Sequence, residues 1–370
     1  MLKAFQPLLF AGLAMLATSG SGREDPHLAS MAAASAMATA DSPVLSVMTY
    51  NIKGLPWPLA LGRDEALDRI GQRLVAMRRT GRQPHVVLLQ EAFSSEAQAL
   101  AAQAGYRHVA FGPDSALRTE TRTDAADLAY LQTARWDRGE RMGKSLSSGL
   151  MILSDYRIAG IDRMAFPDFA CAGLDCMANK GVLIAHLHVP GAGPVSIVNA
   201  HLNARAAAMV PIDRTQQAFA RQVGLMARFV AGHVPEGQAL ILGGDMNIGG
   251  DMRRRNAFFS GFDRSGLRFV APALDGARQA LAQAAADKGA RRDLLHAVEH
   301  GKDWIFARDG RDRPMAVLRA QVPFGSEAGG EPLSDHFGYV VRYRMPVRRP
   351  HEPVHFASRD PLPIRPGEGH

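Results

Sequence analysis

Strand-forming runs that alternate with amphipathic helices predict an α/β or mixed α+β fold for this 370-residue chain. Three observations carry that expectation. Five segments are apolar, rich in β-formers and closed by polar residues: 44–51 (VLSVMTYN), 85–91 (HVVLLQE), 195–202 (VSIVNAHL), 239–247 (ALILGGDMN) and, less neatly, 302–306 (KDWIF). Between them lie two helical stripes, Leu67, Ile70, Leu74 and Met77 in the first and Phe219, Val223, Met226 and Val230 in the second. The composition, 46% hydrophobic, is ample for a large core, and folds of this kind often use such a length as one domain. The two halves, each strand, helix, strand, look loosely alike without a sequence repeat.

The ends of the chain read differently. Residues 1–22 have one early lysine and a short apolar run closed by small residues, the layout of a secretory signal peptide. A low-complexity linker is expected over 23–43, a catalytic domain over 44–345, and an extended tail over 346–370, where six prolines preclude a core. A secreted or periplasmic, monomeric protein follows as the expectation. The two cysteines, Cys171 and Cys176, are expected to pair in such a compartment, since no nearby His or Cys completes a metal site around them. Residues 251–302, rich in Ala and Arg, read as a surface insertion or covering helix, with a helix over 276–300. Lys and Arg number 43 against 36 Asp and Glu, a net charge of +7, which favours anionic partners such as nucleic acid, lipid phosphate or a membrane surface.

The polar residues that close the strands repeat a few types: Asn51, Glu91, Asn199 with His201, Asp245 with Asn247, and later Asp335 with His336. On an extended strand Asp245 and Asn247 would project to the same face. Carboxylate and amide oxygens suit a hard cation such as Mg²⁺ or Mn²⁺, and two histidines suit proton transfer at neutral pH. Phosphoryl chemistry needs that combination: charge neutralised, a water activated, a leaving oxygen stabilised. Each residue alone also has an ordinary reading. Asn51 or Glu91 could cap a turn or helix, His201 could be a core histidine, and Asp335 could pair with an arginine.

The segments TYNIKGLP, LLQEAF, SSGLMILS, NKGVLIAHL, VNAHLNA, GGDMN, DWIF and PLSDH together resemble the endonuclease/exonuclease/phosphatase superfamily over about residues 44–344. The resemblance implies an α+β, four-layer sandwich: two packed mixed β-sheets flanked by helices, with the active site at one end of the sheets. It implies that Asn51 and Glu91 hold a divalent metal, Mg²⁺ or Mn²⁺, with Asp335 contributing. Asp245 and Asn247 would orient the attacking water and the phosphate. His336 would serve as base or as stabiliser of the pentacoordinate oxyanions, with Asp303 orienting it, and His201 would stabilise the transition state or protonate the leaving oxygen. Asn199 and Lys180 are expected at the substrate, Lys180 otherwise being a solvated turn lysine.

Within the superfamily the connecting stretches resemble neutral sphingomyelinases most, which implies sphingomyelin or a related phospholipid as substrate and peripheral contact with a membrane surface. Nucleic acid is the alternative phosphodiester. Secreted bacterial sphingomyelinases typically carry an aromatic hairpin between DWIF and SDH; here 307–332 has only Phe324, beside Arg308, Arg311, Arg313 and Arg319. Trp57 is the local candidate for a choline contact.

Overall fold

The computed structural model describes residues 42–347 apart from 56–59, 61 and 329. The expected signal peptide and most of the linker and tail, and Trp57, lie outside the described residues.

Two mixed sheets pack face to face between helices, the four-layer α+β sandwich that the resemblance implied. The chain runs through β1 (Val44–Gly54), α1 (Arg63–Arg79), β2 (Val86–Ala92), α2 (Ser95–Gln103), β3 (His108–Phe111), α3 (Ala125–Gln132), β4 (Met151–Ser154), β5 (Ile158–Ala165), β6 (Gly181–Val189) and β7 (Gly193–His201). It continues through α4 (Ile212–His233), β8 (Ala239–Asp245), α5 (Met252–Arg264), α6 (Gly276–Ala282), α7 (Arg291–His300), β9 (Asp303–Arg308), β10 (Val317–Phe324) and β11 (Gly338–Arg344). The first sheet has the order β10-β11-β1-β2-β4-β3, the second β5-β6-β7-β8-β9.

Alternation along each strand sorts its side chains into layers. Leu45, Val47, Val86 and Leu88 of the first sheet meet Leu183, Ile197, Ile241 and Ile305 of the second in the central layer. On the outer face of the first sheet, Met48, Tyr50 and Leu89 receive Leu67, Ile70 and Leu74 of α1, three of the four stripe residues. On the outer face of the second, Val198, Leu240 and Leu242 receive Phe219, Val223, Met226 and Val230 of α4, the whole stripe. Both faces of β1, β2, β7 and β8 are therefore covered, which is why these strands read as nearly continuous apolar runs.

Each sheet contains one parallel pair, β1 with β2 and β7 with β8, and each pair is joined by one of the two long helices. The loose likeness of the two halves is thus a repeated βαβ unit. In each, both parallel strands end at the same side of their sheet.

The segment 251–302 departs from the expectation. Its 276–300 portion is two helices, α6 and α7: Ala284 takes a positive φ of 53°, and Ala285 then accepts a hydrogen bond from Ala320 N in β10. Of the two readings of this segment, the covering helix describes α5, whose Phe258 and Phe262 are fully buried against the second sheet's outer layer. Cys171 and Cys176 form a disulfide, Cα to Cα 5.2 Å. Among the described residues no helix is long and apolar enough to cross a membrane.

Candidate active site

The polar strand ends converge at one end of the two sheets. In the second sheet, strand pairing sets His201 opposite Asp245 and Asp245 opposite Asp303, so three functional side chains form a row across β7, β8 and β9. The glycines before Asp245 permit the row. A Cβ on Gly243 would lie 2.8 Å from Leu88 Cδ1 of the other sheet, and one on Gly244, whose φ is +136°, would lie 2.1 Å from Ala200 O.

From the first sheet, Asn51 reaches across. Its Nδ2 donates to Glu91 Oε1 at 2.9 Å and to Asp245 Oδ2 at 3.0 Å. Glu91 sits at a positive φ of 57°, an uncommon conformation for its type that is characteristic of functional sites. The turn carrying His336 is fixed by Ser334, whose Oγ donates to Asn51 O, and by Arg63, which donates to Leu333 O.

The two histidines flank Asp245. His336 Nδ1 lies 2.7 Å from Asp303 Oδ2, and its Nε2 is 3.7 Å from Asp245 Oδ2. Burial opposes charge on this ring, but the Asp303 and Asp245 carboxylates raise it to about 10, so His336 is an imidazolium at neutral pH. His201 Nε2 lies 3.4 Å from Asp245 Oδ2 and 3.1 Å from Lys180 Nζ. Burial, with the Lys180 charge adding, drives it down to about 3, so His201 is neutral and its Nε2 accepts from the ammonium. Burial pushes Asp245 up, yet His336, His201 and Asn51 outweigh it and hold the carboxyl near 2, ionised.

Lys180 is no solvated turn lysine. Its side chain is 6% exposed and its ammonium meets Asp175 Oδ2 at 2.8 Å and Leu202 O at 3.3 Å. Asp175, inside the disulfide loop, also accepts from Ala204 N, so the bridge anchors the residue that holds the lysine.

Two expected site residues lie elsewhere. Asn199 does not face substrate. It is fully buried one step deeper than His201, with Nδ2 donating to Leu89 O and Met151 O and Oδ1 accepting from Gln90 Nε2, a polar clasp between the sheets. Asp335 does not join the metal-type oxygens: its side chain is 57% exposed and pairs with Lys53 at 3.8 Å. Asn247 is near the site by a different route. β8 ends at Asp245, and Asn247 takes a φ of 48°, so strand alternation no longer sets its direction. Its amide donates to Leu202 O while its backbone N donates to Asp245 Oδ1.

Other residues support the site from outside the strand-end pattern. Arg254, fully buried, donates to Asn203 O, Ala204 O and Asn247 O, tying two site loops together. Lys302 Nζ lies 3.4 Å from His336 Nε2. With Arg205, Asn247 and residues 248–251 it lines an open cavity of about 390 Å³ that has no aromatic wall. Lys302 directly precedes DWIF and Asp175 lies between the cysteines, the only sequence signals they offered.

Two sets of groups could hold a cation. Ligand atoms of Asp245, Asp303 and His336 lie within 4.8 Å of one another, with the 2.7 Å contact between His336 Nδ1 and Asp303 Oδ2 already engaging two of the three. Glu91 fits better. Burial raises its carboxyl, and among the described residues no cationic side chain forms an ion pair with it. Its carboxylate oxygens are hard donors of the kind Mg²⁺ takes, and the Asn51 amide beside it would offer its own oxygen on turning over, since Oδ1 here accepts from Lys53 N.

Residues 48–336 match the Endonuclease/Exonuclease/phosphatase family, and the chain belongs to it. A sphingomyelinase of Mycobacterium bovis is 25% identical over 328 residues, 80% of this chain and 52% of that protein, so the chain spans about half the length of the curated relative. Among solved structures, a Staphylococcus aureus beta toxin variant with bound magnesium ions aligns with a TM-score of 0.53 at 16% identity, covering 81% of this chain and 99% of that one. D. rerio TDP2 complexed with a single-strand DNA product aligns at 0.51 with 17% identity, covering 81% and 98%. These two likenesses show the fold.

Proposed function

We propose that the chain is an exported, divalent-metal-dependent phosphodiesterase that hydrolyses a phospholipid phosphodiester, with sphingomyelin as the first candidate. The observation that carries the reaction class is the convergence of Asn51, Glu91, His201, Asp245 and the Asp303–His336 pair at one end of both sheets. The similarity to a sphingomyelinase supports the lipid. The disulfide supports export to an oxidising compartment.

In this reading Glu91 and Asn51 hold the cation, which when bound neutralises charge on the phosphoryl oxygens. Asp245, ionised, accepts a hydrogen bond from the attacking water and aligns it. His336, kept cationic by Asp303 and Asp245, stabilises the charge that builds on phosphorus and donates its proton to the departing ester oxygen. Lys180 adds a second fixed positive charge beside His201. Water thus supplies a hydroxyl to phosphorus while its other proton passes by way of Asp245 to restore the His336 imidazolium; the ester P–O bond breaks, and the leaving oxygen departs as an alcohol carrying the proton that His336 gave it.

A nucleic-acid reading is favoured by the cavity beside His336, whose Arg205 and Lys302 suit a polyanion better than choline. One panel separates the two: phosphocholine release from sphingomyelin vesicles against nicking of plasmid DNA, each with Mg²⁺ and with EDTA. Lipid cleavage that EDTA abolishes and Mg²⁺ restores is expected. DNA cleavage without lipid cleavage replaces the substrate, and full activity in EDTA removes the metal.

A further inference from the structure

Of the nine large apolar side chains exposed among the described residues, five lie on neighbouring segments. Trp136 is 73% exposed, Met142 63%, Leu174 46%, Met209 56% and Met252 62%. They lie on segments that touch one another around the disulfide. A Cβ on Gly139 would sit 3.3 Å from Leu174 Cα, and Gly173 packs on Ala208 so closely that any Cβ would overlap its carbonyl. Glu140 Oε1 accepts from Gly173 N, and Arg205 meets Asp251, the residue before Met252, at 3.0 Å. The patch borders the active site, because Leu174 adjoins Asp175, which holds Lys180 beside His201.

Its charges are chiefly arginines. Arg135 and Arg138 share Asp137, Arg205 is paired with Asp251, and Arg141 is exposed with no carboxylate partner among the described residues. A tryptophan and methionines interleaved with arginine on irregular loops match the interface of an anionic bilayer, where rings and thioethers enter the headgroup layer and guanidinium groups meet lipid phosphate. The edge over 307–332 lacks these features. Its one aromatic, Phe324, is buried and stacked on Tyr50, so among the described residues no exposed large apolar side chain stands beside its arginines.

We propose that the loops carrying Trp136, Met142, Leu174 and Met209 form a docking surface for an anionic phospholipid bilayer, which presents lipid to the active site past its Lys180–His201 side. The proposal rests on the phospholipid reading for its purpose but makes a separate claim about binding. The test sediments the full chain with vesicles of phosphatidylglycerol and phosphatidylcholine, and with phosphatidylcholine alone. It compares the wild type with the double variant Trp136→Ser, Met209→Ser, both positions being exposed and outside the catalytic cluster. Turnover of soluble bis(p-nitrophenyl) phosphate, and a thermal melt, report an intact site and fold. The expected result is binding that needs the anionic lipid and weakens about tenfold or more in the variant, with soluble turnover unchanged. Emission from Trp136 should also be quenched by brominated lipid. A wild type that does not sediment, a variant that binds equally well, or binding indifferent to lipid charge overturns the surface. Charge-dependent binding that the variant loses, with no phospholipid hydrolysed, upholds the surface and removes the phospholipid substrate instead.

Discussion

His201 and His336 flank one carboxylate, 3.4 and 3.7 Å from Asp245 Oδ2, yet they are opposites. His336 has a second carboxylate, Asp303, and is driven up to about 10 against its burial; His201 is driven down to about 3 by burial, with the Lys180 ammonium adding. Both are buried, so burial alone does not decide protonation. What differs is the charge each ring meets besides Asp245: a carboxylate at the other nitrogen of His336, which overcomes burial, and an ammonium at the same Nε2 of His201 that faces Asp245, which adds to it. A symmetric-looking pair is thereby divided into a proton donor and a neutral acceptor, separation of the kind that lets one pocket do both acid and base chemistry.

The harshest test of this division removes His336. His336→Ala is expected to lower kcat by about 10²–10⁴-fold, as loss of a general acid does, while leaving a folded chain. His201→Ala is also expected to impair turnover, but to keep the alkaline fall of the pH–rate profile that deprotonation of His336 near 10 produces and that His336→Ala loses. Identical profiles for the two variants would mean that the rings share one role. A smaller effect is expected for Asp303→Asn, about 10–100-fold, since it acts by orienting and charging His336. In a double-mutant cycle with His336→Ala its effect should vanish; additive losses would show that Asp303 acts elsewhere.

Titration sharpens the contrast without any turnover. In Lys180→Met, ring NMR of the metal-free chain should show His201 titrating at higher pH while His336 stays nearly where it was. The two rings also give stability opposite dependences on pH. His336, raised, contributes fully below its ordinary value near 6.5, and that contribution is lost as pH rises toward about 10. His201, lowered, contributes above 6.5, and that contribution is lost as pH falls toward about 3. Stability profiles of the two His→Ala variants that deviate from wild type in the same pH range would undo this assignment.

The mildest expected effect on catalysis belongs to Asn199, a strand-end polar residue of the same type as Asn51. Asn199→Ala strands the Leu89 and Met151 carbonyls and Gln90, at about 1–3 kcal/mol for each buried group left unsatisfied. Denaturant unfolding should reveal the loss, with kcat per folded molecule retained. A fallen kcat at unchanged stability would return Asn199 to the substrate.

That residue also marks the limit of what the sequence discloses. Strands buried on both faces announce themselves by continuous apolar runs, so β1, β2, β7, β8 and β9 were legible, as were the stripes of α1 and α4. Strands β3 and β5 are largely half-buried, carry no such run, and were not. The break between α6 and α7 was hidden because alanine and arginine favour helix on either side of it, and tertiary pairing with β10 overrides them. In the site, Asn51, Glu91, His201, Asp245 and His336 stood out as polar residues closing apolar runs, and Asp303, the first residue of β9, came only with the resemblance carried by DWIF. Parity along a strand gives a face but not a depth, so Asn199 was read as reaching the surface that His201 approaches. Asp335 was placed at the metal by the resemblance alone, and adjacent residues in a turn, such as Asp335 and His336, have no reason to share a direction. Arg254, Asp175 and Lys302 belong to no periodic pattern, and only the folded loops bring them in.

The row His201–Asp245–Asp303 is matched by strand pairing, not by the loops that follow it. Its spacing is a property of the backbone ladder, the most rigid ruler in the molecule. Connections at the opposite end of the second sheet are correspondingly free to change. The tight turn around Gly191, between β6 and β7, lies a full strand length away from His201. A peptide tag or a small inserted domain spliced there would leave the catalytic spacing as it is, and would give a handle for immobilising the protein with its working end outward.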